Sequence, residues 1–178
     1  MESTRRWAVR RIRAEEGPVL RDLRIAALSS DPLAFGSTLE VEGAHPPILW
    51  SQRAGTGASS GTEAIFFVTE GDRPPHGMLG AFTHEGSRYL WGMWVAPERR
   101  GEGAGGALME AVLTWCGEHP ADHPVRLDVT TSQLAAIRLY ERHGFRTSGE
   151  ERPLGHHPPA MRREMRLDAG ASSPGRAP

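Results

Sequence analysis

Within the 178-residue chain, the stretch Arg100-Gly101-Glu102-Gly103-Ala104-Gly105-Gly106 offers the clearest chemistry. An apolar run, Leu90 to Val95, precedes it, and a helical pattern follows from Ala107 to Cys116. A strand feeding a glycine loop that opens a helix presents free backbone N–H groups and a positive helix dipole end to an anion, usually a phosphate. Glycine suits such a turn because a Cβ would block close approach and some positions need φ > 0. The same residues match Gly-x-Gly-x-x-Gly at Gly101, Gly103 and Gly106. A dinucleotide site would need the strand to run almost directly into the first glycine of a first βαβ unit. Here Ala96 to Arg100 intervene and four strands come first, which argues against it. A P-loop needs Gly-Lys-Ser/Thr, and the chain has no lysine.

The elements that must hold this loop follow from periodicity. Val9 to Arg13 reads as a first strand, and Ala14 to Leu28 as a helix with Val19, Leu20, Leu23, Ala26 and Ala27 on one face. Ser37-Thr38-Leu39-Glu40 has capping-box spacing, and a further helix starts at Pro46-Pro47. Gly55 to Gly61 reads as a flexible loop. Ala64–Thr69, Met78–Thr83 and Arg88–Val95 form an antiparallel meander, the last two joined at Glu85-Gly86. After the glycine loop and its helix, to about Glu118, come strand Val125–Thr130, a helix capped by Ser132, running to His143 and stopped by Gly144, and strands at Phe145–Ser148 and Met161–Leu167. The fold class is α/β (α+β): residues 1–168 form one domain with a central mixed sheet, and 169–178 form a small, polar, disordered tail.

Composition narrows the field. The formal net charge is −1, so nothing in the total points to nucleic acid or an acidic membrane. No apolar run reaches the roughly 20 residues of a membrane span. The N-terminus carries arginine without an apolar signal core, and the expected location is the cytoplasm. A single cysteine, Cys116, excludes an internal disulfide. Lysine and asparagine are both absent, as a GC-rich genome would give.

Three blocks then stand in order: Leu33 to Thr38 after an amphipathic helix; Val95-x-Pro97-x-x-Arg100-Gly101-x-Gly103-x-Gly105; and Leu127-x-Val129 followed by Ala136 to Phe145. With these blocks the chain resembles the GNAT superfamily of acyl-CoA-dependent N-acyltransferases, over roughly Val9 to Leu167. The resemblance implies a mostly antiparallel sheet flanked by helices, with the strand ending at Val95 and the strand 125–130 lying parallel and splaying apart. It implies acetyl-CoA as cosubstrate. The pantetheine arm would pair with the main chain of Met93, Trp94 and Val95. The amides of Gly101, Gly103, Ala104, Gly105 and Gly106 would wrap the pyrophosphate, with Arg100 adding charge. Tyr140 matches the family tyrosine beside the CoA sulfur, where a phenol of pKa near ~10 donates a hydrogen bond or a proton to the departing thiolate. Gln133 stands where the family often has Asn, one methylene longer, as a candidate CoA contact. The partner would be an amine acceptor, with no metal, nucleic acid or membrane; the family often forms homodimers. A GNAT fold that only senses acyl-CoA is the rival reading.

A primary amine of pKa ~10.4 must lose its proton near neutral pH, at a cost of roughly 4 to 5 kcal/mol. The strand Leu90 to Val95 carries no acid, so the candidate bases are Glu85, Asp128, Glu40 and Glu42. Trp91 and Trp94 suit either an aromatic acceptor wall or a sheet core, and Phe35 either the acceptor mouth or helix packing. His156-His157 has no acid or cysteine spaced to complete a metal site. Arg162, Arg163 and Arg166 read as a solvated strand face.

Overall fold

The structure, a computed structural model, describes residues 6–167. The expected disordered tail lies outside the described residues. The chain runs β1 (Ala8–Arg11), α1 (Gly17–Ser30), α2 (Leu39–Gly43), α3 (Pro47–Ser59), β2 (Glu63–Thr69), β3 (Gly77–His84), β4 (Ser87–Val95), a 3-10 turn (Pro97–Arg99), α4 (Ala104–Glu118), β5 (Val125–Thr130), α5 (Leu134–Arg142), β6 (Phe145–Thr147), β7 (Arg152–Leu154) and β8 (His157–Leu167). The eight strands form one sheet in the order β1-β2-β3-β4-β5-β8-β6, with β7 also on β8. Every pairing is antiparallel except β4–β5. The expected mixed sheet and its parallel pair are therefore present.

Alternation along the strands sends apolar side chains to two layers. Ile65, Phe67, Met78 and Trp94 face α1 and α3, whose Leu20, Ala27, Trp50 and Ala54 complete one core. Phe66, Val68, Leu79, Leu127 and Met165 face α4 and α5, meeting Leu108, Met109, Val112, Ile137 and Tyr140.

Several local expectations change. Residues 55–59 are helical, not loop. Gly57 explains why: a Cβ there would stand 2.9 Å from Ile65 Cγ1, so the glycine lets α3 press onto β2, and packing outweighs the low helix propensity. α2 is capped by Thr38, whose Oγ1 accepts from Val41 N at 3.2 Å, rather than by Ser37, so no capping box forms. α4 begins three residues earlier than expected, at Ala104 rather than Ala107. Gln133, not Ser132, precedes α5. β7 carries too few apolar positions to be visible in the sequence.

The site depends on where β4 leaves β5. The two pair only at Arg88–Val125, Tyr89–Arg126 and Leu90–Leu127. Immediately beyond, Gly92 has φ +68°. In the β3–β4 ladder Met78 faces Trp94 and Gly80 faces Trp91, so Leu79 alone stands opposite Gly92 and Met93. This is a β-bulge, which bends its strand and raises its local twist. We expect Gly92→Ala to lower the urea midpoint by an amount worth roughly 1–2 kcal/mol, with Gly92→Val costing more. A valine variant as stable as the parent would show that the left-handed backbone at this position is not what sets the bulge.

Candidate active site

The glycine loop has the open amides its sequence implies. None of the N–H groups from Gly101 to Gly106 makes a hydrogen bond among the described residues; the first loop-to-helix bond is Ala107 N to Gly103 O at 3.0 Å. No side chain caps α4. Gly101 and Gly103 have φ of +78° and +92°, and a Cβ on either would meet nothing within 4 Å. Gly105 is there for another reason: its Cβ would stand 3.2 Å from Leu139 Cδ2, so it lets α4 approach α5. The loop is fastened at Glu102, whose carbonyl accepts from Trp7 Nε1 at 2.7 Å and whose carboxylate pairs with Arg6 at 3.0 Å. Such a run of unpaired amides at a helix start is a fitting cradle for an anion.

A cavity of about 480 Å³ opens from this cradle into the gap between β4 and β5. β4 contributes Met93, Trp94 and Val95; the loop contributes Arg100, Gly101, Gly103, Gly105 and Gly106; the α5 side contributes Gln133 and Tyr140. Of the residues expected at the site, Ala104 alone does not line it: its methyl is 1% exposed in the core beneath α4. Arg100 reaches the wall already engaged. Its Nε donates to Val95 O at 2.9 Å, and its guanidinium holds both oxygens of Asp31, at 3.1 and 2.5 Å. Trp94 Nε1 donates to the same carboxylate at 3.2 Å. Burial pushes the Asp31 carboxyl up, but these bonds outweigh it and hold the group below its ordinary value.

Tyr140 sits on α5, 6% exposed, with no side-chain hydrogen bond among the described residues. Burial pushes its phenol up, so it stays protonated. Among the four candidate bases only Asp128 lines the cavity. It also lines a smaller hollow of about 40 Å³ behind it, with Phe35, Trp91 and Gly92. Glu85 sits at the β3–β4 turn with its side chain 87% exposed, Glu40 is exposed on α2, and Glu42 is buried between arginines. Asp128 accepts from Arg152 at 3.3 Å and Arg162 at 3.0 Å.

The sequence reading missed Asp31, Arg99, Arg138 and Arg142, all on the cavity wall. Arg138 and Arg142 were legible: four residues apart on one helix, they share a side. Asp31 was not, because its role rests on a contact 69 residues away in sequence. Among the described residues no three His, Cys, Asp or Glu side chains cluster as a metal site, and no helix is long and apolar enough to cross a membrane.

A model of the acetyltransferase (GNAT) family matches residues 29–145. The chain belongs to this family. No curated protein matches it significantly. Solved structures share its fold: a GNAT-family acetyltransferase from Streptococcus pneumoniae (19% identity, 89% of this chain and 97% of that one, TM-score 0.73), and spermidine N-acetyltransferase from Vibrio cholerae in complex with CoA and spermine (15%, 91% and 95%, 0.70). The ribosomal-protein-S18-alanine N-acetyltransferase of Escherichia coli is also similar (16%, 96% and 99%, 0.65).

In this GNAT chain the α1–α3 side of the gap is held by a buried charge cluster. Arg24 and Glu42, 6% and 7% exposed, pair at 3.2 Å, and Arg53 reaches Glu42 at 2.9 Å. Burial lowers the Arg24 guanidinium pKa more than Glu42 raises it. For Glu42 burial acts upward, but the bonds and charges of Arg53 and Arg24 win and hold the carboxyl below its ordinary value. A carboxyl depressed in the folded state adds stability above its unfolded value, and that contribution is lost as pH falls through the folded value. We expect Glu42→Ala to cost about 3 kcal/mol at pH 7 by stranding Arg24, and Glu42→Gln to flatten the loss of stability below about pH 4.5. Urea melts at pH 7 and pH 4 test both; a Gln variant with the parent's acid slope would remove Glu42 from the acid transition.

Proposed function

We propose that the chain moves an acetyl group from acetyl-CoA to an amine by direct attack in a ternary complex. One observation carries the reading: the open amides of Gly101 to Gly106, the phenol of Tyr140 and the carboxylate of Asp128 all border the gap between β4 and β5. The amides bind the pyrophosphate, and Met93 to Val95 offer strand main chain to the pantetheine. Gln133 offers its amide, and Arg138 and Arg142 supply the charge that Arg100, tied to Asp31, shares with a carboxylate. The relative with CoA and spermine bound supports this use of the fold.

Asp128 and Tyr140 come to the gap from opposite sides of the sheet. Asp128 shares its sheet face with Trp91, on the α1–α3 side, and Tyr140 belongs to the α4–α5 layer. Asp128 takes the ammonium proton, the free amine attacks the thioester carbonyl to form the C–N bond, and the C–S bond of the tetrahedral adduct breaks; the surplus proton on the new amide nitrogen goes, through solvent, to the thiolate. Tyr140 donates a hydrogen bond to the departing sulfur; its raised pKa favours that role over full proton transfer. Cys116 has no part as a nucleophile: it is buried on α4, away from the cavity wall, and burial pushes its thiol up to about 11.

Titration calorimetry should show acetyl-CoA binding at micromolar to low-millimolar levels, and CoA release should follow on adding an amine panel. Tyr140→Phe should lower kcat roughly 10- to 100-fold with little change in the KM for acetyl-CoA. Asp128→Asn should lower kcat on the order of 100-fold, with the deficit shrinking as rising pH supplies free amine. Cys116→Ala should keep the parent's rate. No heat with acetyl-CoA would sink the proposal. Binding without transfer to any amine, and no effect of Tyr140→Phe, would make the chain an acyl-CoA-binding module instead.

A further inference from the structure

The sheet face that carries Asp128 continues outward as a lattice of charge. Residues paired across antiparallel strands point to the same side. One row therefore holds Arg126, Arg166 and Arg146, across β5, β8 and β6. The next holds Asp128 and Glu164, and the third Thr130, Arg162 and Arg152. Five arginines share this face with two carboxylates. Like charges directly opposite destabilise a sheet, yet Arg166 has arginine on both sides and Arg162 faces Arg152.

The two carboxylates are shared thinly. Glu164 serves Arg126 at 3.5 Å and Arg166 at 3.2 Å, while Asp128 serves Arg152 and Arg162. Arg146 has no carboxylate within 4.0 Å among the described residues, and the Nε groups of Arg126 and Arg162 are buried without a hydrogen-bond partner. Helices α1 and α3 pack over β2 and β4 on this side. Farther along, Arg152, Arg166 and Asp128 keep 56%, 39% and 37% of their side-chain surface exposed. With a whole-chain net charge of −1, the positive field here is local.

A sixth arginine lies behind the same base. Arg24 lies 4.7 Å from the ring centroid of Phe35 and 6.0 Å from that of Trp91, both of which line the hollow beside Asp128. Its Nη1 is buried without a partner, 3.9 Å from where a Cβ on Gly92 would stand.

We propose that the acceptor amine belongs to an acidic polypeptide segment, whose carboxylates lie on this arginine face while its amine reaches Asp128. The proposal rests on the acetyl-transfer reading above. The face spans about 10 Å across three strands and about 13 Å along β8, the length of three or four extended residues. A small diamine, cationic throughout, would be repelled here. Carboxylates that engage Arg152 and Arg162 draw them from Asp128, leaving its oxygens for the ammonium. The substrate thus helps to ready the base.

The test compares peptides with one free amine and acidic, neutral or basic neighbours. Fluorescence anisotropy measures their binding in the presence of CoA, and CoA release measures transfer from acetyl-CoA. The acidic peptide should bind at least ~10-fold more tightly than the neutral one at low salt, with the gap narrowing at 0.5 M salt, and should show the highest kcat/KM. The exposed variant Arg146→Gln should weaken binding of the acidic peptide ~3-fold or more and that of the neutral one almost not at all, with its melting temperature checked. Equal binding of acidic and neutral peptides by the parent protein overturns the proposal whatever the variant does. Preferential transfer to neutral or basic amines also overturns it while leaving acetyl transfer intact. Failure to bind acetyl-CoA removes the underlying reading but not the peptide-binding result. A single-stranded oligonucleotide that binds more tightly than the acidic peptide reassigns the face and overturns the proposal.

Discussion

Two strands that part company hold the rest of the molecule in place. β4 and β5 share three paired positions, and then the bulge at Gly92 turns β4 aside. Everything chemical lies at or beyond that fork. The main chain of Met93 to Val95 is left without a neighbour on one edge, and the loop after it swings to the start of α4. Buried backbone groups left unpaired are costly, so an opening of this kind persists only because the layers around it are packed independently. The α1–α3 core and the α4–α5 core each close without the missing strand contact.

The fork also sets two unlike surfaces on one gap. On one side the open amides and the positive end of α4 suit an anion. On the other, the sheet face beyond β5 is crowded with arginines. Asp31 braces the first of these sides: one carboxylate at the end of α1 holds both Trp94 of β4 and Arg100 of the loop.

Much of this was legible in the sequence. The runs of β-forming residues placed β2 through β5 within a residue or two, and the glycine spacing together with the Tyr140 block carried the family resemblance that implied the fold. What escaped was set by tertiary contact. Gly55 to Ser59 looks like a loop by composition, but Gly57 gives α3 its fit on β2. Gly105 reads from the sequence only as part of the anion cradle, yet its missing Cβ also makes room for Leu139. Arg162 and Arg166 look like an ordinary solvated face until strand order sets them beside Arg152, Arg126 and Arg146. No single-strand pattern reveals what lies on the neighbouring strand.

The bulge has one more effect, on parity. Side chains along a regular strand alternate between faces, so Trp91 and Trp94, three positions apart, would point to opposite layers. The extra residue resets the count. Leu90, Met93 and Val95 all join the α4–α5 core, while Trp91 and Trp94 both join the α1–α3 core. A regular strand that kept Gly92 would swap the faces of every residue from Met93 to Val95, turning Trp94 away from Asp31 just before the chain enters the glycine loop. Deleting Gly92 would instead straighten the strand and keep those faces, because Leu90, Trp91, Met93, Trp94 and Val95 then alternate without a break.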